Sequence, residues 1–222
     1  MPLDLLEHVK KHRIVVAVRG IAPEQILPAA KALYDGGIRM LEITFDQASP
    51  TCLTDTPAAI RQVRQAMGDD MLVGAGTVMS PEQARAAVEA GAQYLLAPNL
   101  DLEVIAAARV LDVPIVPGAM TPSEIAAAWK AGAALVKLFP AGCLGPGYIK
   151  AITAPIRQVP LLTMGGVDET NLTEYLALPC VVGTGIGSAI ARKDLIEAGR
   201  WQELTALALR YTSQLTGKEG AE

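Results

Sequence analysis

Residues 71–91 read MLVGAGTVMSPEQARAAVEAG, and this stretch holds every part of a repeating structural unit. It opens with a short apolar run of strand type at 71–74. The run leads into the glycine-rich segment Gly74-Ala75-Gly76-Thr77. Ser80-Pro81-Glu82-Gln83 then supplies an N-cap, a proline in the first helical turn and a Gln three residues after the cap, the pattern of a capping box. The helix is expected to stop at Gly91, because glycine adopts the left-handed conformation that ends a helix without steric cost.

The same unit recurs in both directions. Thr121-Pro122-Ser123-Glu124 repeats the capping device, and its helix stops at Gly132. Residues 22–34 carry Ile26, Ala30 and Leu33 at helical spacing and end at Gly36-Gly37. Asp168 is expected to open a further helix. The last helix covers 201–215, with a frayed tail at 217–222. Apolar runs at 14–18, 39–43, 71–74, 94–96, 114–116, 135–138, 160–163 and 180–182 alternate with these helices. That makes eight units in 222 residues, about 28 each, enough for a strand, a helix and two tight loops. Strands joined by crossover helices are parallel, and right-handed crossovers repeated eight times close a barrel. An open doubly wound sheet is the rival. Even spacing and the lack of a compositional break favour the α/β class, a (β/α)8 TIM barrel with a short N-terminal helix and one domain spanning 1–222.

Composition agrees. Hydrophobic residues make up 51% of the chain, charged residues 19% and aromatics only 4%, so the core must rest on Ala, Val, Leu and Ile. The net charge of −4 has no basic cluster for nucleic acid and no basic amphipathic stretch for a membrane surface. No apolar run reaches membrane-spanning length, and residues 1–13 lack the apolar region of a signal peptide. The three cysteines, Cys52, Cys143 and Cys180, are odd in number and widely spaced. A disulfide framework or zinc site is therefore not expected, and a reducing cytoplasm is. The two histidines, His8 and His12, lack further ligands for a metal and fit a helix face better.

In a barrel, active-site residues stand at the carboxyl ends of the strands. There the sequence places Arg19-Gly20, Glu42 with Thr44, Gly74-Ala75-Gly76-Thr77, Pro98-Asn99, Pro117-Gly118, Lys137, Gly165-Gly166 and Gly187-Ser188. Polar and glycine-rich residues thus gather on one rim. Lys137 interrupts an apolar run. Desolvation there would lower its pKa and free the neutral amine to attack a carbonyl. The competing reading is a lysine that reaches solvent or pairs structurally with Glu42. Glu42 also interrupts an apolar run, where a carboxylate is costly unless paired or useful, and it could carry protons for iminium chemistry. Gly165-Gly166 and Gly187-Ser188 stand where barrels hold phosphate. Arg19 could clamp a carboxylate or form a surface salt bridge, and Thr77 could donate its hydroxyl.

These segments resemble the 2-keto-3-deoxy-6-phosphogluconate (KDPG) and 4-hydroxy-2-oxoglutarate (KHG) aldolases. The resemblance rests on residues 15–19, Leu41-Glu42-Ile43-Thr44, residues 74–78, Lys137-Leu138-Phe139-Pro140, Gly165-Gly166 and Gly187-Ser188. Arg19-Gly20-Ile21, Pro98-Asn99 and residues 145–150 are also similar to the phosphogalactonate version. The resemblance implies a metal-independent, cofactor-free class I aldolase, usually a homotrimer, that releases pyruvate from a sugar acid phosphate. It implies Lys137 as Schiff-base lysine and Glu42 as general acid/base. Arg19 and Thr77 become carboxylate contacts, Gly165, Gly166, Gly187 and Ser188 the phosphate cradle, and Pro98 and Phe139 pocket walls. Three positions depart from the pattern. Met164 replaces a common Thr, Asp46 an Arg, and Gly142 a Glu whose loss would enlarge the pocket. Other classes are a barrel isomerase or a non-catalytic sugar-phosphate binder; the presence of both Lys137 and Glu42 argues against the binder.

Overall fold

The computed structural model describes residues 3–216. Along the chain run α1 (Leu5–His12), β1 (Ile14–Val18), α2 (Pro23–Asp35), β2 (Met40–Thr44), α3 (Cys52–Met67), β3 (Leu72–Gly76), α4 (Pro81–Glu89), β4 (Leu95–Leu96) and α5 (Leu102–Val110). Then follow β5 (Ile115–Val116), β6 (Gly118–Ala119), α6 (Pro122–Lys130), β7 (Val136–Leu138), α7 (Ala141–Thr153), β8 (Leu161–Met164), α8 (Leu172–Leu176), β9 (Val181–Ile186), α9 (Lys193–Glu197) and α10 (Trp201–Thr216). The tail at 217–222, expected to fray, lies outside the described residues.

All strand pairs are parallel, in the order β5-β4-β3-β2-β1-β9-β8-β7-β6. The two ends of that order are neighbours in the chain. β5 falls in the expected fifth strand at 114–116, and β6 extends that strand through residues expected in the following loop, beyond Pro117, which has no N–H to give to a ladder. β5 pairs with β4, and β6 pairs with β7. One continuous segment therefore closes the sheet into a barrel. The Pro117 carbonyl still accepts from the Lys137 N–H at 2.9 Å.

Side chains alternate across each strand, and the alternation builds two apolar layers. Val16, Leu41, Val73, Ile115, Val136 and Leu161 face outward against the helices. Val15, Met40, Leu72, Tyr94, Leu96, Val116, Leu135 and Leu162 fill the lower barrel, where Leu5 and Val9 of α1 plug its amino-terminal end. The short N-terminal helix is thus a stopper.

The glycines inside strands make room for this packing. A Cβ on Gly74 would come 2.5 Å from the Tyr94 ring, and one on Gly183 would come 2.6 Å from Val9 Cγ1. For this reason the third and eighth strands run on through glycines that the sequence reading placed in loops. β3 continues to Gly76, and β9 continues to Ile186.

Two helix starts differ from expectation. Asp168 does not open α8. Its carboxylate accepts from the Thr170 N–H and hydroxyl in a tight turn, and Asn171 takes the N-cap position. At α4, the Ser80 hydroxyl accepts from the Gln83 N–H, but the Gln83 side chain accepts from Met79 N instead of closing the box on Ser80. The Thr121–Glu124 box forms in full.

Candidate active site

Strand register carries the chemistry upward from the packed floor. Met40 and Leu135 face the floor, so two residues later Glu42 and Lys137 face inward one layer higher. Glu42 pairs in register with Ala17 and Gly74, and Lys137 with Gly118 and Leu162. The floor beneath them is fixed by Tyr94, whose hydroxyl donates to the Leu41 carbonyl at 2.8 Å.

Lys137 is 5% exposed and Glu42 2% exposed. Burial pushes the Lys137 ammonium below the ordinary lysine range. The Glu42 charge opposes that shift, and the Arg19 charge adds to it. Burial also pushes the Glu42 carboxyl above the ordinary carboxylate range, against the pull of Lys137 and then Arg19. Their charges act on each other, but no salt bridge within 4.0 Å joins them among the described residues. Glu42 Oε2 is buried with no hydrogen-bond partner there. The structural ion pair is therefore not formed. A fold that only needed to satisfy these charges would bring them into contact, since an orphaned buried charge is costly.

Above this pair opens a cavity of about 620 Å³. Arg19, Thr77, Pro98, Lys137, Phe139, Gly165, Gly166, Gly187 and Ser188 all line it. The strands thus bring together every residue read as substrate-binding, with Lys137 in the wall. Glu42 lies deeper, packed under Gly76, whose Cα would carry a Cβ only 2.6 Å from Oε2. The Phe139 ring stands with its centroid 4.8 Å from Lys137 Nζ. Arg19 is exposed at the mouth and makes no salt bridge among the described residues, so it is available to an anionic ligand.

Elsewhere in the cavity wall the backbone is arranged for an anion. Gly165 and Gly166 have φ of 83° and 80°, a left-handed pair that suits only glycine. Carbonyls in this region are already engaged. Gly165 O accepts from Gly142 N at 2.7 Å, Gly166 O from Asn171 Nδ2 at 2.9 Å, and Gly187 O from Ala191 N at 2.9 Å. The N–H groups of Gly166 and Ser188 donate to no acceptor among the described residues. Donors without partners beside satisfied carbonyls form a concavity that favours phosphate.

The structure adds Lys193 and Asp168 to the cavity wall. Neither carries a periodic signal in the sequence, because both follow glycine-rich loops whose path periodicity does not encode. Of the three departures, Met164 lines the cavity, packed against Gly185. Asp46 does not; its carboxylate accepts from Ala48 N in a neighbouring turn. Gly142 does not line the cavity either. A Cβ there would lie 2.8 Å from the Gly166 Cα, so Gly142 serves the close approach of two backbone segments. His8 and His12 sit on α1, at the opposite end of the barrel, with His8 Nδ1 2.9 Å from the Asp4 carbonyl. Among the described residues no group of three or more His, Cys, Asp or Glu could hold a metal ion. The three cysteines are free.

A desolvated lysine over a desolvated carboxylate, at the carboxyl-terminal mouth of a parallel barrel, defines a Schiff-base lyase. Residues 5–207 match the family model described as KDPG and KHG aldolase, and the chain belongs to that family. It is 36% identical over 216 residues to the 2-dehydro-3-deoxy-phosphogluconate aldolase of Treponema pallidum, covering 97% of this chain and 99% of that one. It is also 36% identical over 194 residues to the 2-dehydro-3-deoxy-6-phosphogalactonate aldolase of Escherichia coli, covering 87% and 89%. A KDPG aldolase from Legionella pneumophila, solved with pyruvate captured at low pH as a covalent carbinolamine, superposes with a TM-score of 0.83. That structure is 31% identical and covers 92% of this chain and 96% of its own.

Proposed function

We propose that this enzyme cleaves 2-keto-3-deoxy-6-phosphogluconate to pyruvate and glyceraldehyde 3-phosphate through a Schiff base on Lys137. The observation that carries this reading is the buried, unpaired Lys137–Glu42 couple beneath a cavity whose wall offers N–H donors without partners among the described residues. The neutral Lys137 amine adds to the C2 carbonyl, and loss of water gives an iminium. Glu42 takes the proton of the C4 hydroxyl as the C3–C4 bond breaks, and the bonding pair enters the iminium as an enamine. Glyceraldehyde 3-phosphate leaves. Protonation at C3 and hydrolysis then return pyruvate and the free lysine. Arg19 and Thr77 hold the substrate carboxylate, Pro98 and Phe139 wall the chain, and Gly165, Gly166, Gly187 and Ser188 hold the phosphate.

The galactonate epimer is the second reading. It is favoured by the 36% identity to a phosphogalactonate aldolase and by the thioether of Met164 in the cavity wall, which offers the substrate hydroxyls only a weak acceptor. 4-Hydroxy-2-oxoglutarate, cleaved to pyruvate and glyoxylate, is a further substrate of the same chemistry. We infer a homotrimer in the cytoplasm. Exposed Met79, Leu102 and Met120 follow β3, β4 and β6 on one side of the rim, an apolar sector suited to subunit contact. No helix among the described residues is long and apolar enough to cross a membrane.

The test is pyruvate release from the gluconate substrate, its galactonate epimer and 4-hydroxy-2-oxoglutarate, with Lys137→Ala as control. Turnover of the gluconate substrate with the highest kcat/KM, abolished in a folded Lys137→Ala variant, is expected. Full activity in that variant would overturn the mechanism, and a preference for the epimer would select the second reading.

A further inference from the structure

Thr77 has a φ of 56°. The other non-glycine residues with positive φ, among those described, are Arg13 and Asp112. Both follow helix ends, where the left-handed conformation is a usual terminator. Thr77 does not end a helix, and its β-branched side chain makes the conformation unfavourable. Such a backbone persists only where its surroundings over-determine it.

Two glutamines supply that constraint. Gln47, on the loop between β2 and α3, donates from Nε2 to the Thr77 carbonyl at 2.8 Å. Gln83, buried in the first turn of α4, donates from Nε2 to Gln47 Oε1 at 2.9 Å. The Gln83 Oε1 in turn accepts from the Met79 N–H at 2.7 Å. Val78 N donates across to the Leu96 carbonyl at 3.0 Å. The backbone is thus pinned at 77, 78 and 79, twice by this side-chain pair. None of the atoms of Gln47 or Gln83 lines the cavity that Thr77 lines.

We propose that Gln47 and Gln83 form a latch between the second and third loops of the rim, and that its task is to hold Thr77 where its hydroxyl meets the carboxylate of pyruvate. The latch rests on the role given to Thr77 above. Gln47 and Gln83 are positioning residues, acting on substrate through Thr77. The effect therefore falls on pyruvate binding and not on the amine chemistry at Lys137.

The test is the pyruvate concentration that half-saturates borohydride trapping, measured for the full chain, Gln47→Ala, Gln47→Glu, Thr77→Ala and the Gln47→Ala/Thr77→Ala double variant. Gln47 is exposed, so its substitution spares the core. Loss of one hydrogen bond that orders the loop should raise the half-saturating concentration about three- to tenfold, with the trapping rate at saturating pyruvate nearly unchanged. Gln47→Glu keeps the size but replaces the donor with an acceptor, and it should match or exceed the alanine variant. In the Thr77→Ala background, Gln47→Ala should add nothing. Unchanged half-saturation in Gln47→Ala, or effects that multiply in the double variant, would overturn the latch while leaving the aldolase reading intact. Absence of any pyruvate adduct in the unmodified protein would instead overturn the aldolase reading.

Discussion

Gly76→Ala should disable the enzyme without removing a functional group. Gly76 ends β3 directly over Glu42, and its backbone lies outside the left-handed region, so alanine is permitted by the chain itself. The added Cβ would stand 2.6 Å from Glu42 Oε2 and 2.8 Å from Cδ, where ordinary contact begins at 3.4 Å. The carboxylate must give way by about 0.8 Å. It has little room to do so, because Glu42 is 2% exposed and Tyr94 fills the space below. A misplacement of roughly 1 Å in a proton-transfer group lowers kcat on the order of 100-fold. Overpacking of this kind costs about 1–3 kcal/mol, and each kcal/mol lowers Tm by about 2–4 °C in a domain of this size. The assay is steady-state cleavage with Tm by calorimetry, and Gly147→Ala serves as control, since a Cβ there meets nothing within 4 Å. A Gly76→Ala enzyme with kcat within twofold of the parent would refute the placement of Glu42.

Two further outcomes follow from the charges at the site. Glu42→Gln should lower kcat by about 10²–10⁴-fold. It should also stabilise the fold above the ordinary carboxylate range. The folded pKa of Glu42 is raised, so its favourable contribution is present at low pH and is lost as pH rises through the raised value. The parent should therefore lose stability relative to Glu42→Gln as pH rises from the mildly acidic to the mildly alkaline range, read from denaturant midpoints. Equal pH dependence in both proteins would show that Glu42 is not desolvated. Lys193→Ala should raise KM for the phosphorylated substrate severalfold while leaving 4-hydroxy-2-oxoglutarate unaffected, because Lys193 is an exposed cation on the cavity wall whose salt bridge among the described residues is to exposed Glu197 at 3.5 Å. An equal change for both substrates would separate Lys193 from phosphate recognition.

Much of this was legible before the structure. Strand runs, capped helices and glycine stops carry a barrel in their spacing, and an interior lysine and glutamate in apolar strands can hardly avoid the barrel mouth. Less legible were features set by space and not by pattern. Glycines at 76, 183 and 185 fall beyond the apolar runs at 71–74 and 180–182, yet they lie within strands because facing side chains occupy the volume a Cβ would need. Pro117 splits a strand without opening the barrel, since its carbonyl keeps the ladder to Lys137. Gln83 carries a capping-box signature but serves the Thr77 loop, a choice decided by Gln47, 36 residues away in the chain. Asp168 and Lys193 enter the cavity wall through loop paths that periodicity does not encode.

If Lys137 is the nucleophile, borohydride reduction in the presence of pyruvate must trap it, as read by intact mass and peptide mapping. One reduced pyruvyl adduct per chain is expected, on Lys137, forming at a pH below that needed by an ordinary lysine because burial depresses its pKa. No adduct in a folded sample, or an adduct spread over exposed lysines such as Lys10 or Lys193, would contradict it.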